Sequence, residues 1–230
     1  MRFALPLRFT IIAAASISAP VHAQIPDDEF RIYAAGVLNV APFARPFSGY
    51  GVYLGQNAVI TPAHVVGRWP LFTDPIISIA GREVPAKVVK KGSFPQLDLA
   101  LLVVSDTALP MSLGLRRDPL CKAIPSPGTA VIVVSPERAE RSQIVSARTI
   151  GPRDRSQFGT LINEPHGSGS GVFDPEKRCL LGIMSAAVMK QDDSRTVPDR
   201  PPLFQRWDRS AGYFVPASTI IEFIPSHLRF

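Results

Sequence analysis

Short apolar runs closed by turn residues recur roughly every ten residues along this chain, the rhythm of strands and tight turns rather than of helices. They include Val52 to Leu54, Ala58 to Ile60, Ile76 to Ala80, Val84 to Val89 and Leu97 to Val104. Thr129 to Ser135, Ile144 to Ile150, Val172-Phe173 and Leu180 to Ser185 continue the series. Only Pro216 to Ile224 carries apolar residues at helical spacing, and it predicts a short helix near the C-terminus. Ile25 to Arg31 reads as a short polar lead. The pattern predicts an all-β chain folded as barrels or a sandwich. Between Leu109 and Gly128 four prolines (Pro110, Pro119, Pro125 and Pro127) interrupt it, which separates β-rich halves at 24–115 and 116–230. Gln191 to Ser210 is rich in charge and proline and predicts a long surface loop, near a binding site if it has a role.

Composition sharpens the picture. Hydrophobic residues make up 46% of the 230, enough for a packed core. The 23 prolines and 16 glycines break the chain often, which again favours short strands. Residues 1–23 have the form of an export signal: Arg2 and Arg8, the apolar stretch Phe9 to Ala19, then Val21-His22-Ala23 for cleavage. The stretch is shorter than the roughly 20 apolar residues a membrane span needs, so no stable insertion is expected after cleavage. Secretion or residence in a periplasm follows. The net charge of +6 includes the two arginines of that segment. Lys90-Lys91 and Arg116-Arg117 are isolated pairs, so no nucleic-acid partner is expected. Cys121 and Cys179 are the two cysteines; export favours a disulfide between them, with two buried free thiols as the alternative. Their spacing matches no metal motif, and neither a metal nor any other cofactor is expected.

Three places carry candidate chemistry. His64 follows an apolar strand and a proline turn, a setting that suits a general base near neutral pH. Asp98 opens the apolar run Asp98-Leu99-Ala100-Leu101-Leu102, where a carboxylate needs a partner such as an imidazole N–H. In His166-Gly167-Ser168-Gly169-Ser170-Gly171 a serine lies between glycines, so backbone N–H groups can converge beside its oxygen. A flexible linker fits this segment poorly, because Val172-Phe173 follows at once.

Together these motifs resemble the chymotrypsin-like serine peptidases, especially bacterial exported ones. Thr61-Pro62-Ala63-His64 is similar to the family's base motif, Asp98 to Leu102 to its acid strand, and His166-Gly167-Ser168-Gly169-Ser170-Gly171-Val172 to its nucleophile motif. Leu181 to Ser185 resembles the strand lining the specificity pocket, and Tyr213 to Pro216 the last strand entering a C-terminal helix. The order His, Asp, Ser is the family's own. The resemblance implies two six-stranded antiparallel β-barrels with a short C-terminal helix. It further implies a triad of His64, Asp98 and Ser168, and an oxyanion hole from the backbone of His166, Gly167 and Ser168. A protein or peptide substrate would be cut through an acyl-enzyme. Ile162 and Asn163 fall where the family has its pocket base, and Ser185, Ala186 and Ala187 along its wall. No aspartate lies at the base and Met184 stands where glutamate-specific members carry histidine, so a small or medium apolar residue is the expected preference.

Three residues depart from the family. His166 and Gly167 replace the usual Gly and Asp or Asn before the serine, and Gly171 replaces proline. Gly167 cannot pair with a freed N-terminal amine, and no Ile-Val-Gly-Gly-like start is present. A weakly active or inactive relative acting as a protein-binding module is therefore the alternative. Ser170 is a rival nucleophile, disfavoured by its register with Val172-Phe173. An α/β-hydrolase is disfavoured because no Gly-x-Ser-x-Gly exists and the only later histidine is His227. A zinc hydrolase lacks His-Glu-x-x-His.

Overall fold

The structure is a computed structural model that describes residues 27–39, 47–67, 74–94, 96–105, 109–114, 119–191 and 210–228. The export segment 1–23, Arg116-Arg117 and nearly all of the loop 191–210 lie outside the described residues.

Twelve strands close into two antiparallel barrels. The first holds β1 (Ala34–Asn39), β2 (Phe47–Gly55), β3 (Ala58–Thr61), β4 (Ile76–Ile79), β5 (Arg82–Lys91) and β6 (Ala100–Val104). The second holds β7 (Ala130–Val134), β8 (Ala139–Val145), β9 (Leu161–Ile162), β10 (Gly171–Asp174), β11 (Cys179–Met189) and β12 (Ser210–Pro216). Around the first barrel the order is β1-β2-β3-β6-β5-β4, and around the second β7-β8-β9-β12-β11-β10. The two halves thus share one topology, with no sequence repeat to announce it. A helix follows β12 at Ala217–Phe223, where the helical spacing predicted one.

Alternation along the strands explains the unbroken apolar runs. Tyr53, Val59, Ala100 and Leu102 point into the first barrel. Val131, Val133, Val172 and Leu181 point into the second. Their neighbours Val52, Leu54, Ile60, Leu99, Leu101, Ile132, Val134 and Phe173 face the other way and merge into one core between the barrels. Strands buried on both faces need no polar alternation. Each fully buried Leu, Ile or Phe contributes about 1.5–3 kcal/mol, so this shared core joins the barrels firmly. Cys121 and Cys179 form a disulfide, 58 residues apart in sequence, beside the second barrel's core.

Both ends of the described chain cross between barrels. The 3-10 turn Asp27–Tyr33 precedes β1, yet Phe30 is buried and its ring stacks on Phe173 of β10 at 4.8 Å. Arg141 donates to Asp27 at 2.7 Å, and Arg178 pairs with Glu29. The expected polar lead is therefore a strap, because one aromatic in it finds a partner distant in sequence. At the other end, Lys90 Nζ on β5 donates to the Phe223 carbonyl at 2.7 Å and lies over the Phe223 ring.

Candidate active site

His64 sits in a one-turn helix, Ala63–Val66, that starts directly after β3 and Pro62. Asp98 ends the turn before β6 and is only 3% exposed, at the edge of the core shared by the barrels. The two meet twice: His64 Nδ1 lies 2.7 Å from Asp98 Oδ2, and the His64 backbone N–H donates to Oδ1 at 3.0 Å. Ser185 Oγ adds a third bond, 2.5 Å to Oδ2. Burial alone would raise the Asp98 carboxyl, but the hydrogen bonds from His64 and Ser185 prevail and hold it below its ordinary range. Asp98 is thus kept ionised, and because a carboxylate only accepts, Nδ1 is the donor in this bond. The His64 side chain remains 38% exposed, with the Phe94 ring edge-on at 6.4 Å.

The Ser168 loop is held by the same strand that holds Asp98. Gly169 N–H donates to the Met184 carbonyl and Met184 N–H to the Ser170 carbonyl, both at 2.8 Å. Ser185, the next residue, falls where the β11–β12 register shifts between Met184 and Ala186. Such an irregularity re-aims a side chain, and here the serine turns to Asp98. A second chain of bonds runs through the first barrel. Tyr50 N–H donates to the Ser168 carbonyl at 2.8 Å, and the Tyr50 carbonyl accepts from Thr61 Oγ1 at 2.7 Å, three residues before His64. Gly169 has φ +90° and any Cβ there would overlap the Tyr50 carbonyl, so only glycine lets the loop pass so close. Ser168 is half-buried whereas Ser170 is 2% exposed, so Ser168 is the more accessible of the two serines. Among the described residues no hydrogen bond joins Ser168 Oγ to His64, a contact that tightens in many hydrolases only when substrate binds.

Solved structures match the two-barrel fold over most of the chain. The active form of the Rv3671c protease from M. tuberculosis aligns with a TM-score of 0.59 over 96% of this chain and 92% of its own, at 16% identity. The apo MamO protease domain from Magnetospirillum magneticum aligns with 0.55 over 86% and 98%, at 21% identity. An HL collagenase aligns with 0.63 over 86% and 95%, at 13% identity. This is the chymotrypsin-like fold. No family model matches the chain, and no curated sequence does.

Within the chymotrypsin-like frame, the residues preceding Ser168 take unusual roles. The His166 ring turns inward, with Nδ1 3.1 Å from Glu140 Oε2 and Nε2 buried without a hydrogen-bond partner. Burial holds its pKa below the ordinary imidazole value, against the pull of Glu140. Gly167 lies under the Tyr50 ring; a Cβ there would sit 2.5 Å from Tyr50 Cε2. Gly171 is likewise covered by the Phe173 ring, 2.5 Å from where a Cβ would be. Ring packing thus accounts for glycine at both departures. Among the described residues no backbone carbonyl takes the N–H of His166 or Ser168.

The specificity candidates separate. Ile162 is fully buried in β9, paired with Ile144 and Gly212, and belongs to the barrel core. Asn163 is half-buried and accepts from Lys190 Nζ at 3.2 Å. Ala186 and Ala187 continue β11 toward the surface, whereas Ser185 serves Asp98. Sequence reasoning missed Ser185 as a partner of Asp98, and Tyr50, Phe94, Glu137 and Glu140 altogether. No metal-binding group of three or more His, Cys, Asp or Glu side chains occurs among the described residues. No described helix is long and apolar enough to cross a membrane.

Proposed function

We propose that the protein is an exported serine endopeptidase that cuts peptide bonds through an acyl-enzyme. His64 Nε2 takes the Ser168 hydroxyl proton as Oγ attacks the scissile carbonyl, then returns it to the leaving amine. Asp98, steadied by Ser185, holds the imidazole and stabilises its charged form. The backbone N–H groups of His166 and Ser168, with Gly167 between them, receive the oxyanion. Each such donor is typically worth about 2.7–4 kcal/mol of the barrier.

The observation that carries this reading is the pair Met184-Ser185: consecutive residues grip the Ser168 loop and the Asp98 carboxylate. An imidazole held on one nitrogen, and a loop with an accessible serine and two amides that no backbone carbonyl takes among the described residues, suit acyl transfer. The disulfide and the apolar stretch at residues 9–19 support a secreted or periplasmic location. Ala186 and Ala187 favour a small or medium apolar side chain at the cleavage site.

The test is labelling with a fluorophosphonate probe and mapping of the modified residue by mass spectrometry. Modification at Ser168, lost in Ser168→Ala with the fold intact, is expected. Modification at Ser170 overturns the assignment of Ser168 as nucleophile, and no modification of folded protein overturns the hydrolase reading and leaves a chymotrypsin-like binding module.

A further inference from the structure

The Ser168 loop meets polar groups as well as Val133 and the Tyr50 ring on one side. Beneath it lies a polar cavity of about 140 Å³, lined chiefly by Tyr50, Ser135, Arg138, Glu140, His166 and Gly167. Besides the Met184 backbone of β11, polar contacts to the loop come from two further elements among the described residues. From β2, Tyr50 encloses the loop: its N–H binds the Ser168 carbonyl, its own carbonyl abuts Gly169, and its ring covers Gly167. From the β7–β8 hairpin, Glu137 lies along the same pocket as Tyr50, where burial and then the Glu137 charge raise the Tyr50 pKa, and it accepts from Ser135 Oγ at 2.9 Å. The same hairpin presents Glu140, whose carboxylate is shared by His166 Nδ1 at 3.1 Å and Arg138 at 3.0 Å. Because His166 Nε2 has no hydrogen-bond partner, Glu140 is the ring's one polar anchor among the described residues. Four successive residues, 166 to 169, are thereby gripped from two sides.

We propose that Tyr50 and Glu140 are positioning residues that hold the His166 and Ser168 amides in place for an oxyanion, so the loop is set without a free amino terminus. The proposal rests on the serine peptidase reading. The brace takes the place of the carboxylate that Gly167 lacks, and it is complete in the folded chain.

The experiment compares wild type with Glu140→Ala, Tyr50→Ala and the conservative variants Glu140→Gln and Tyr50→Phe. Amide hydrogen exchange over residues 164–170 and the rate of fluorophosphonate labelling are the readouts. In Glu140→Ala and Tyr50→Ala, exchange of this loop should rise about tenfold or more while that of β11 stays constant. Labelling should slow by about tenfold, short of the 10²–10³ lost with a donor outright. With a peptide substrate, kcat should fall while KM changes less than about twofold. Glu140→Gln keeps an acceptor and Tyr50→Phe keeps the ring, so each should recover most of the loss. Unchanged loop exchange in both alanine variants overturns the proposal, as does a rise spread evenly over the second barrel. If wild type takes no label, the peptidase reading falls, and loop exchange alone still decides the brace.

Discussion

Ser185 and Asp98, 87 residues apart, are joined by a buried 2.5 Å hydrogen bond. The serine supplies one of the bonds that outweigh the burial penalty on this carboxylate. Ser185→Ala should destabilise the fold by about 1.5–3 kcal/mol, the range for a hydrogen bond to a charged group. Urea unfolding measures this directly. A change within noise would mean that the bond contributes nothing.

Asp98→Asn retains the shape of the site but presents an amide to His64 Nδ1. The imidazole then adopts the wrong tautomer, and kcat should drop about 10⁴-fold while the fold, though less stable, keeps its geometry. Steady-state kinetics on a peptide ester checks it; near wild-type turnover would remove Asp98 from the mechanism.

Acid should weaken the fold in two stages. Burial pulls the His166 pKa below 6.5 more strongly than Glu140 raises it. The folded state therefore favours the neutral ring, and this group costs nothing above 6.5. Stability falls as pH drops below 6.5 until the lower folded value is passed. The Asp98 carboxyl lies below 3.8 in the folded state, so its contribution is complete above 3.8 and vanishes as pH falls through the folded value. Urea midpoints should decline as pH falls below 6.5 in wild type and less steeply in His166→Gln. Parallel curves would show that His166 does not titrate this way.

Gly167→Ala drives a methyl against the Tyr50 ring. The variant should lose stability and labelling rate together, by about 1–3 kcal/mol for overpacking. In Tyr50→Ala the same substitution should cost less, a coupling measurable by a double-mutant cycle. Strict additivity would place the strain elsewhere.

Replacing Cys121 and Cys179 by serine frees a loop of 58 residues and should cost about 4 kcal/mol in the chain-entropy account. For a domain of this size that lowers Tm by roughly 8–16 °C. Calorimetry with and without reductant tests it, and equal Tm values would argue that the unfolded state gains no freedom.

What could be read from sequence follows from how strands are buried. Val52 to Leu54, Leu99 to Leu102 and Val131 to Val134 lie between two cores, so their runs are apolar throughout and plain to see. β8 is the opposite case. In Ala139–Val145 only Ile144 is buried, and the apolar run Ile144 to Ile150 catches just its end before a 3-10 turn at Ala147–Thr149. β1 reads weakly because Ala34-Ala35-Gly36 has little strand character. His64 and Asp98 were legible because each sits in a local motif. The role of Ser185 was not, since it depends on a register shift between β11 and β12. Tyr50, Glu137 and Glu140 reach the Ser168 loop across distant strands, and the one local hint was an aromatic between two glycines, Gly49-Tyr50-Gly51.

The leading 3-10 turn and the terminal helix are each lashed to the opposite half of the molecule, through Phe30 on Phe173 and Lys90 on Phe223. A hinge that swung the halves apart would have to undo both fastenings and the apolar seam between them. The Ser168 loop is therefore not reached through a parting of the halves, and heat should melt the whole as one unit.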